Sequence, residues 1–364
     1  MFVRAQVDYA HRAASSFASG GCGVRKLSAV PVFPRHQELL QNTRSPLGSR
    51  LAPARLQATS TSEMRESVRV SPMLLEEPVP AILEDIDTLV LDCDGVLWQG
   101  EDLIEGSKEA LIKLREAGKQ LLFVTNNSSK SRAMYVEKFR KLGIHAEKEE
   151  IIGASYAAAA WLKNQNFDKK VFSIGDVGVS LELEELGIEV ASAEGAEGGP
   201  GCNVDQFKEL KVDEDIGAVV VGCDQAFDYR KLCYASVAIQ QGAAFVATNA
   251  DSADSIGGRL MPGAGAMVEA IAAAAATRPT LVAGKPSPWL LQLLRTEFGV
   301  DFSRACVVGD RLDTDIQMGV DAGAKLNVLT LSGVSTWADV EAVQEAGEGA
   351  VPHVAVPTLS YLVG

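Results

Sequence analysis

From about residue 80 onward, short apolar runs alternate with amphipathic segments, and this repetition leaves few folds open to the chain. Thr88–Leu91 reads as a strand. Ser107–Ala117 carries Ala110, Leu111 and Leu114 at helical spacing and stops at Gly118, and Gln120–Val124 reads as the next strand. Strand, helix and strand in repetition signal βαβ units on a parallel sheet. A second set of alternations begins near Val171, with strands expected at Val171–Ile174, Gly217–Val221 and Ala244–Ala247. Thr280–Ala283 is expected to resume the first sheet, followed by a helix around Leu290–Leu294 and a strand at Ala305–Val308. The expected fold is α/β: a Rossmann-like parallel-sheet core into which a smaller α/β cap domain is inserted. Residues 80–167 and 280–364 are assigned to the core, 168–279 to the cap with a Gly-rich loop at Gly195–Asn203, and 1–70 to a leader.

The leader differs in kind from the rest. Eight basic residues between Arg4 and Arg55 stand against only Asp8 and Glu38, amid abundant Ser, Ala and Gly. Such a composition, without a compact apolar stretch, is that of an organelle transit peptide rather than a secretory signal. A disordered basic arm is the alternative reading. The whole chain is 47% hydrophobic and carries a formal charge of −14, which suits a soluble globular protein and argues against nucleic acid or an anionic membrane as partner. No apolar run reaches the roughly 18 residues needed to span a bilayer. The six cysteines show no C-x-x-C spacing, so neither a zinc site nor a disulfide framework is indicated. Four histidines, two of them (His11 and His36) in the leader, argue against a histidine-based triad or metal site.

Each of four expected core strands is followed at once by polar residues of a different chemical kind. Asp92 and Asp94, in Asp92-Cys93-Asp94-Gly95, emerge where the first strand leaves the sheet, and open parallel sheets bind ligands beyond the carboxyl ends of their strands. One carboxylate there can attack phosphorus and form an aspartyl-phosphate, and a second, two residues on, can protonate the leaving alkoxide and then activate water. After the second strand, Thr125 and Asn126 offer hydroxyl and amide donors to phosphoryl oxygens, or else cap a helix. Lys285, in Gly284-Lys285-Pro286, would offset repulsion between nucleophile and phosphate; unit charges about 4 Å apart interact by roughly 4 kcal/mol at an effective dielectric near 20. In Gly309-Asp310-Arg311-Leu312-Asp313-Thr314-Asp315, Asp310 is the candidate metal ligand and Asp315 an outer-shell partner orienting water or Lys285. The acidic spacing is not that of an EF-hand. Few, separated oxygen ligands combined with a phosphate favour Mg2+. Each element alone has a bland alternative (capping Asp, helix cap, exposed lysine, acidic turn), and it is their succession that is specific.

Joined in order, DCDGVLW, TNNSSK, GKPS and GDRLDTDI resemble the haloacid dehalogenase superfamily of magnesium-dependent phosphatases. Within it the chain looks like the phosphoglycolate and pyridoxal phosphatase branch, whose α/β cap lies between the second and third motifs. The resemblance implies that Asp92 is nucleophile and metal ligand, Asp94 acid/base and metal ligand through its backbone carbonyl, and Asp310 the remaining metal ligand. Thr125, Asn126 and Lys285 would hold the phosphoryl group. The cap loop from Thr248 to Arg259 is expected to select the ester, with Asn249 and Arg259 over the substrate, or else as turn residue and surface charge. That loop has no aromatic residue or histidine to stack on a pyridoxal ring, so a small phosphorylated acid fits better, and the resemblance implies that this acid is 2-phosphoglycolate. With the leader, this implies a photorespiratory hydrolase of the chloroplast stroma, with mitochondrion or cytoplasm as alternatives and a homodimer left open. A phosphatase for pyridoxal phosphate or small esters at large is the enzymatic alternative. A non-catalytic phosphate-binding regulator, the alternative of another class, would be expected to have lost Asp92, Asp94 or Lys285.

Overall fold

The computed structural model describes residues 71–191, 208, 210–256 and 259–364; the leader and the Gly-rich loop expected at 195–203 lie outside the described residues. The path begins with β1 (Met73–Leu74), β2 (Thr88–Leu91) and a small antiparallel hairpin, β3 (Trp98–Gln99) and β4 (Asp102–Leu103). It continues through α1 (Ser107–Glu116), β5 (Gln120–Thr125), α2 (Arg132–Lys141), β6 (Ile151–Gly153) and α3 (Ala154–Asn164). Next come β7 (Lys170–Ile174), α4 (Val177–Glu185), β8 (Ile216–Val221), α5 (Tyr229–Gln240) and β9 (Ala244–Ala247). A second hairpin, β10 (Ala253–Ile256) and β11 (Arg259–Pro262), precedes α6 (Ala264–Ala275), β12 (Leu281–Val282) and α7 (Pro288–Glu297). The chain closes with β13 (Ala305–Gly309), α8 (Gln317–Ala322), β14 (Leu326–Thr330), α9 (Trp337–Ala346) and β15 (Val354–Val356).

Two parallel sheets result. The larger has seven strands in the order β1-β15-β14-β13-β2-β5-β6, and the smaller four in the order β12-β9-β8-β7. β2 and β13 are buried along their whole length, as continuous apolar strands at the centre of a sheet covered on both faces must be. Alternate side chains face opposite ways. Leu89, Leu91, Leu121, Phe123 and Val308 pack with Leu111, Tyr135 and Phe139 of α1 and α2 on one face. Val90, Leu122, Val124 and Val307 pack on the other with Ala157, Ala158, Leu290 and Leu294 of α3 and α7, in an apolar cluster that continues into Val171, Val220 and Val246 of the smaller sheet. The opposite face of the smaller sheet is covered by α5 and α6, through Tyr234, Ala238, Val268 and Ile271.

Two elements depart from expectation. The strand expected to resume the core at Thr280–Ala283 instead joins the smaller sheet: Leu281 and Val282 pair in parallel with Val246 and Ala247 of β9. Its two apolar residues fit the edge of either sheet, and only the ladder, extended by Ala283 N–H to Ala247 and Gly284 N–H to Thr248, decides between them. The segment expected as a loop from Thr248 to Arg259 contains β10 and leads across to β11, a hairpin whose second strand is exposed throughout and therefore lacks the apolar alternation that marks half-buried strands. Among the described residues no helix is long and apolar enough to cross a membrane.

Candidate active site

Four loops converge at the carboxyl ends of the strands, three from the larger sheet (after β2, β5 and β13) and one from the smaller (after β12). Asp92 continues the β2 ladder, its N–H donating to Val308 O at 2.9 Å. Asp92, Asp310 and Asp315 are buried, and each offers a carboxylate oxygen within 4.8 Å of the others. Lys285 enters from the smaller sheet, its Nζ 2.5 Å from Asp92 and 2.7 Å from Asp315, and donates to Val124 O at 2.8 Å. Burial alone would lower the lysine's pKa, but Asp315 and Asp92 outweigh it and hold the ammonium charged. Burial likewise pushes the Asp92 carboxyl well above its usual range, against the pull of Lys285. Asp310 is pushed up to about 7 by burial and by neighbouring Asp315, although Val334 N–H donates to its Oδ2 at 2.8 Å.

The backbone is shaped around these carboxylates. Gly95 has φ of +84°, and a Cβ there or at Gly333 would collide with the Asp310 carboxylate. Only glycine meets both demands at position 95. Leu312–Ile316 forms one turn of π-helix that buries Asp315. Among the described residues, three buried carboxylates share one ammonium, so the cluster has negative charge left over for a cation. A divalent ion that binds through a few carboxylates and keeps its waters fits this donor set.

Asp94 is placed apart from the cluster. Its side chain is 44% exposed, accepts from Trp98 Nε1 at 2.8 Å, and lies 4.0 Å from Lys138 Nζ. Lys138 is itself held by Gly100 O at 2.8 Å and lies over the Trp98 ring. Neither Trp98 nor Lys138 was singled out from the sequence. Trp98 stood in the DCDGVLW run, but Lys138 reads as an ordinary helix lysine until α2 is packed beside the loop.

Thr125 ends β5 with its side chain buried, and its Oγ1 accepts from Asn127 N–H at 3.1 Å. Asn126 differs from expectation, because its side-chain amide is already committed. Oδ1 accepts from Lys285 N–H at 2.7 Å, while Nδ2 donates to Lys285 O at 3.2 Å and to Asp251 Oδ2 at 3.1 Å. Asn249 too is occupied, donating through Nδ2 to Asn126 O at 2.7 Å, and so clasps one loop to another. Arg259 makes no polar contact with Asp92, Asp94, Lys285, Asp310 or Asp315 among the described residues. It opens the exposed strand β11, and among the described residues its side chain makes no hydrogen bond or ion pair. Position 311 instead supplies a partly buried guanidinium, paired with Asp313 at 2.8 Å and raised in pKa by Asp313, Asp251 and Asp310 against the effect of burial.

Known proteins resemble this chain in sequence and in fold. Residues 89–189 match a family model described as haloacid dehalogenase-like hydrolase, and residues 282–357 match a second, HAD-hydrolase-like model. Chloroplastic phosphoglycolate phosphatase 1A of Arabidopsis thaliana is 43% identical over 73% of this chain and 74% of its own length. Human glycerol-3-phosphate phosphatase is 40% identical over 75% of this chain and 87% of its own. Among solved structures, a p-nitrophenyl phosphatase from Archaeoglobus fulgidus superposes with a TM-score of 0.66 at 28% identity, covering 77% of this chain and 98% of that one. A glycerol phosphate phosphatase from Mycobacterium tuberculosis, solved with magnesium, gives 0.64 at 29% identity over 77% of each chain. Four converging loops with buried carboxylates around one lysine, together with relatives of this identity and coverage, carry one conclusion: the chain belongs to the haloacid dehalogenase-like hydrolases and is a phosphatase.

Proposed function

We propose that this phosphatase hydrolyses 2-phosphoglycolate to glycolate and phosphate with Mg2+ bound, by way of an aspartyl-phosphate on Asp92. The observation that carries the mechanism is the Lys285 ammonium shared between Asp92 and Asp315 beside Asp310, with the half-exposed Asp94 carboxylate, two residues on from Asp92 along the same loop, held by Trp98. Asp92 attacks phosphorus while Lys285 compensates the negative charge gathering between carboxylate and phosphoryl oxygens. Asp94, exposed and hydrogen-bonded on one oxygen, gives a proton to the departing glycolate oxygen and later takes one from the water that cleaves the acyl-phosphate. Thr125 and the backbone of its loop orient the phosphoryl group. Asp92 and Asp310, with the main-chain carbonyl of Asp94, would hold Mg2+, and Asp315 would orient Lys285. When bound, the ion supplies positive charge for the phosphoryl oxygens.

The substrate assignment is supported by the Arabidopsis relatives named as phosphoglycolate phosphatases, and by a cap loop without ring-stacking side chains. The glycerol-3-phosphate phosphatases, nearly as similar, favour a polyol phosphate as the second reading. Phosphate release from 2-phosphoglycolate, glycerol 3-phosphate, pyridoxal phosphate and p-nitrophenyl phosphate, each with and without Mg2+, tests both. The highest kcat/KM is expected for 2-phosphoglycolate with Mg2+; a higher value for glycerol 3-phosphate would replace the first reading by the second. The leader's composition and the chloroplastic relatives support a stromal location, tested by fusing residues 1–70 to a fluorescent reporter.

A further inference from the structure

We propose that Asp251 is a positioning residue for Lys285 and acts through the side-chain amide of Asn126, an inference that rests on reading Lys285 as the lysine that holds the phosphoryl group. Lys285 has its ammonium among the carboxylates of the larger sheet, but its main chain continues the ladder of the smaller one, through Ala283 and Gly284 to Ala247 and Thr248. How well Nζ is aimed depends on what ties that main chain to the β5 loop. Asn126 ties it twice. Its Oδ1 accepts the Lys285 N–H at 2.7 Å and its Nδ2 donates to the Lys285 carbonyl at 3.2 Å. Both bonds require one orientation of the amide. Turned over, the NH2 would face an N–H and the oxygen would face a carbonyl.

Asp251 removes that ambiguity. A carboxylate has acceptors and no proton to give, and the two oxygens of Asp251 stand 3.1 and 3.4 Å from Asn126 Nδ2, so they can pair only with the NH2 end. Asn126 is the one side chain to which the Asp251 carboxylate is hydrogen-bonded among the described residues. The carboxylate is aimed in turn by Asn249, whose Oδ1 accepts the Asp251 N–H at 3.1 Å and whose Nδ2 donates to Asn126 O at 2.7 Å. Gly284 lets the two loops approach this closely, because a Cβ there would lie 2.5 Å from Asn126 Oδ1 and 2.8 Å from Thr248 O. The loop after β9 thus sets the orientation of a side chain after β5, which sets the main chain after β12. Asp251 lies outside the carboxylate cluster of Asp92, Asp310 and Asp315, and no contact with the reacting atoms is assigned to it.

The test uses the full chain and two readouts. Asp251→Ala is expected to lower kcat for p-nitrophenyl phosphate on the order of 10- to 100-fold, the cost of a misaimed group, while KM stays within about twofold. In an Asn126→Ala background, which is itself impaired, the same change is expected to add less than about twofold, because both act on one chain of contacts. Independently of turnover, hydrogen–deuterium exchange of peptides covering residues 281–288 is expected to accelerate in Asp251→Ala, since the Lys285 N–H loses its oriented acceptor. Losses that multiply in the double variant, or exchange unchanged across 281–288, would overturn the proposal. If the wild-type chain hydrolyses none of the esters, the functional reading fails and the exchange measurement alone decides this one. Should Asp251→Ala not fold, Asp251→Asn keeps the shape, removes the charge, and is held to the same outcomes.

Discussion

Asp92 and Asp94 stand two residues apart and are given opposite surroundings. Asp92 is buried against Lys285 and two further carboxylates, whereas Asp94 is nearly half exposed and takes one hydrogen bond from Trp98. A nucleophile gains from losing its water shell next to a fixed cation, since charges attract more strongly at low dielectric. A group that must give and then recover a proton gains from access to water. The assignment of roles therefore follows from surroundings rather than from order in the chain. Asp94→Asn is expected to lower kcat by about 10²- to 10⁴-fold, the range for a lost general acid or base, and to slow both the formation and the breakdown of the acyl-phosphate. Rapid-quench trapping of the phosphoenzyme measures both steps; a normal rate of breakdown in that variant would take Asp94 out of the water-activating role.

The two sheets are joined by more than the apolar cluster beneath them. Arg132, at the first turn of α2 beside the larger sheet, pairs with Glu182 of α4 at 2.9 Å and with Glu185 at 2.8 Å, and its guanidinium lies 3.7 Å over the Tyr156 ring of α3. The Glu182 side chain is fully buried and, among the described residues, keeps only the main-chain N–H of Arg132 when the guanidinium is removed, so its charge is left uncompensated in the interior. Arg132→Met is expected to destabilise the fold by about 3–5 kcal/mol, read as a lowered urea midpoint, and Glu182→Leu added to it should recover much of that loss. If the single variant unfolds at the wild-type midpoint, the pair does not hold α4 to α2. Elements with strong local patterns were readable in advance: β2, β5, β7, β8, β9 and β13 all fall on apolar runs, within a residue or two of expectation. What could not be read was pairing. β12 has two residues and no preference for a sheet, β11 is exposed, and Asn126 finds its partners 125 and 159 residues away, where no local spacing can announce them. The four motifs were visible because the chemistry demands particular residue types at strand ends. Trp98, Lys138 and Asp251 were not, because ordinary residues acquire such roles only when packing brings them beside those strand ends.

Taken together, the folded chain concentrates negative charge at one point, and this ties its stability to metal and to pH. Three buried carboxylates face one lysine in a protein whose net charge is already −14. Burial and neighbouring Asp315 push the Asp310 carboxyl up to about 7 in the fold, whereas an unfolded aspartate titrates near about 3.9. The sign follows. A carboxyl whose folded pKa is raised contributes stability that is fully present below the unfolded value and is lost as pH rises through the folded value. Without metal, stability should therefore decline between about pH 4 and pH 8, and Asp310→Asn should flatten that decline. A divalent cation competes with the proton for the same oxygens, so its benefit should grow over the same interval. At a free Mg2+ concentration of about 100 times Kd, the wild type should gain roughly 2.7 kcal/mol, by linkage of binding to the native state. Thermal or urea unfolding with Mg2+ and with EDTA, at about pH 5 and about pH 8, is the measurement. The gain should be larger at the higher pH and absent in Asp310→Asn. A gain that is the same at both pH values, or that survives Asp310→Asn, would move the metal away from Asp310.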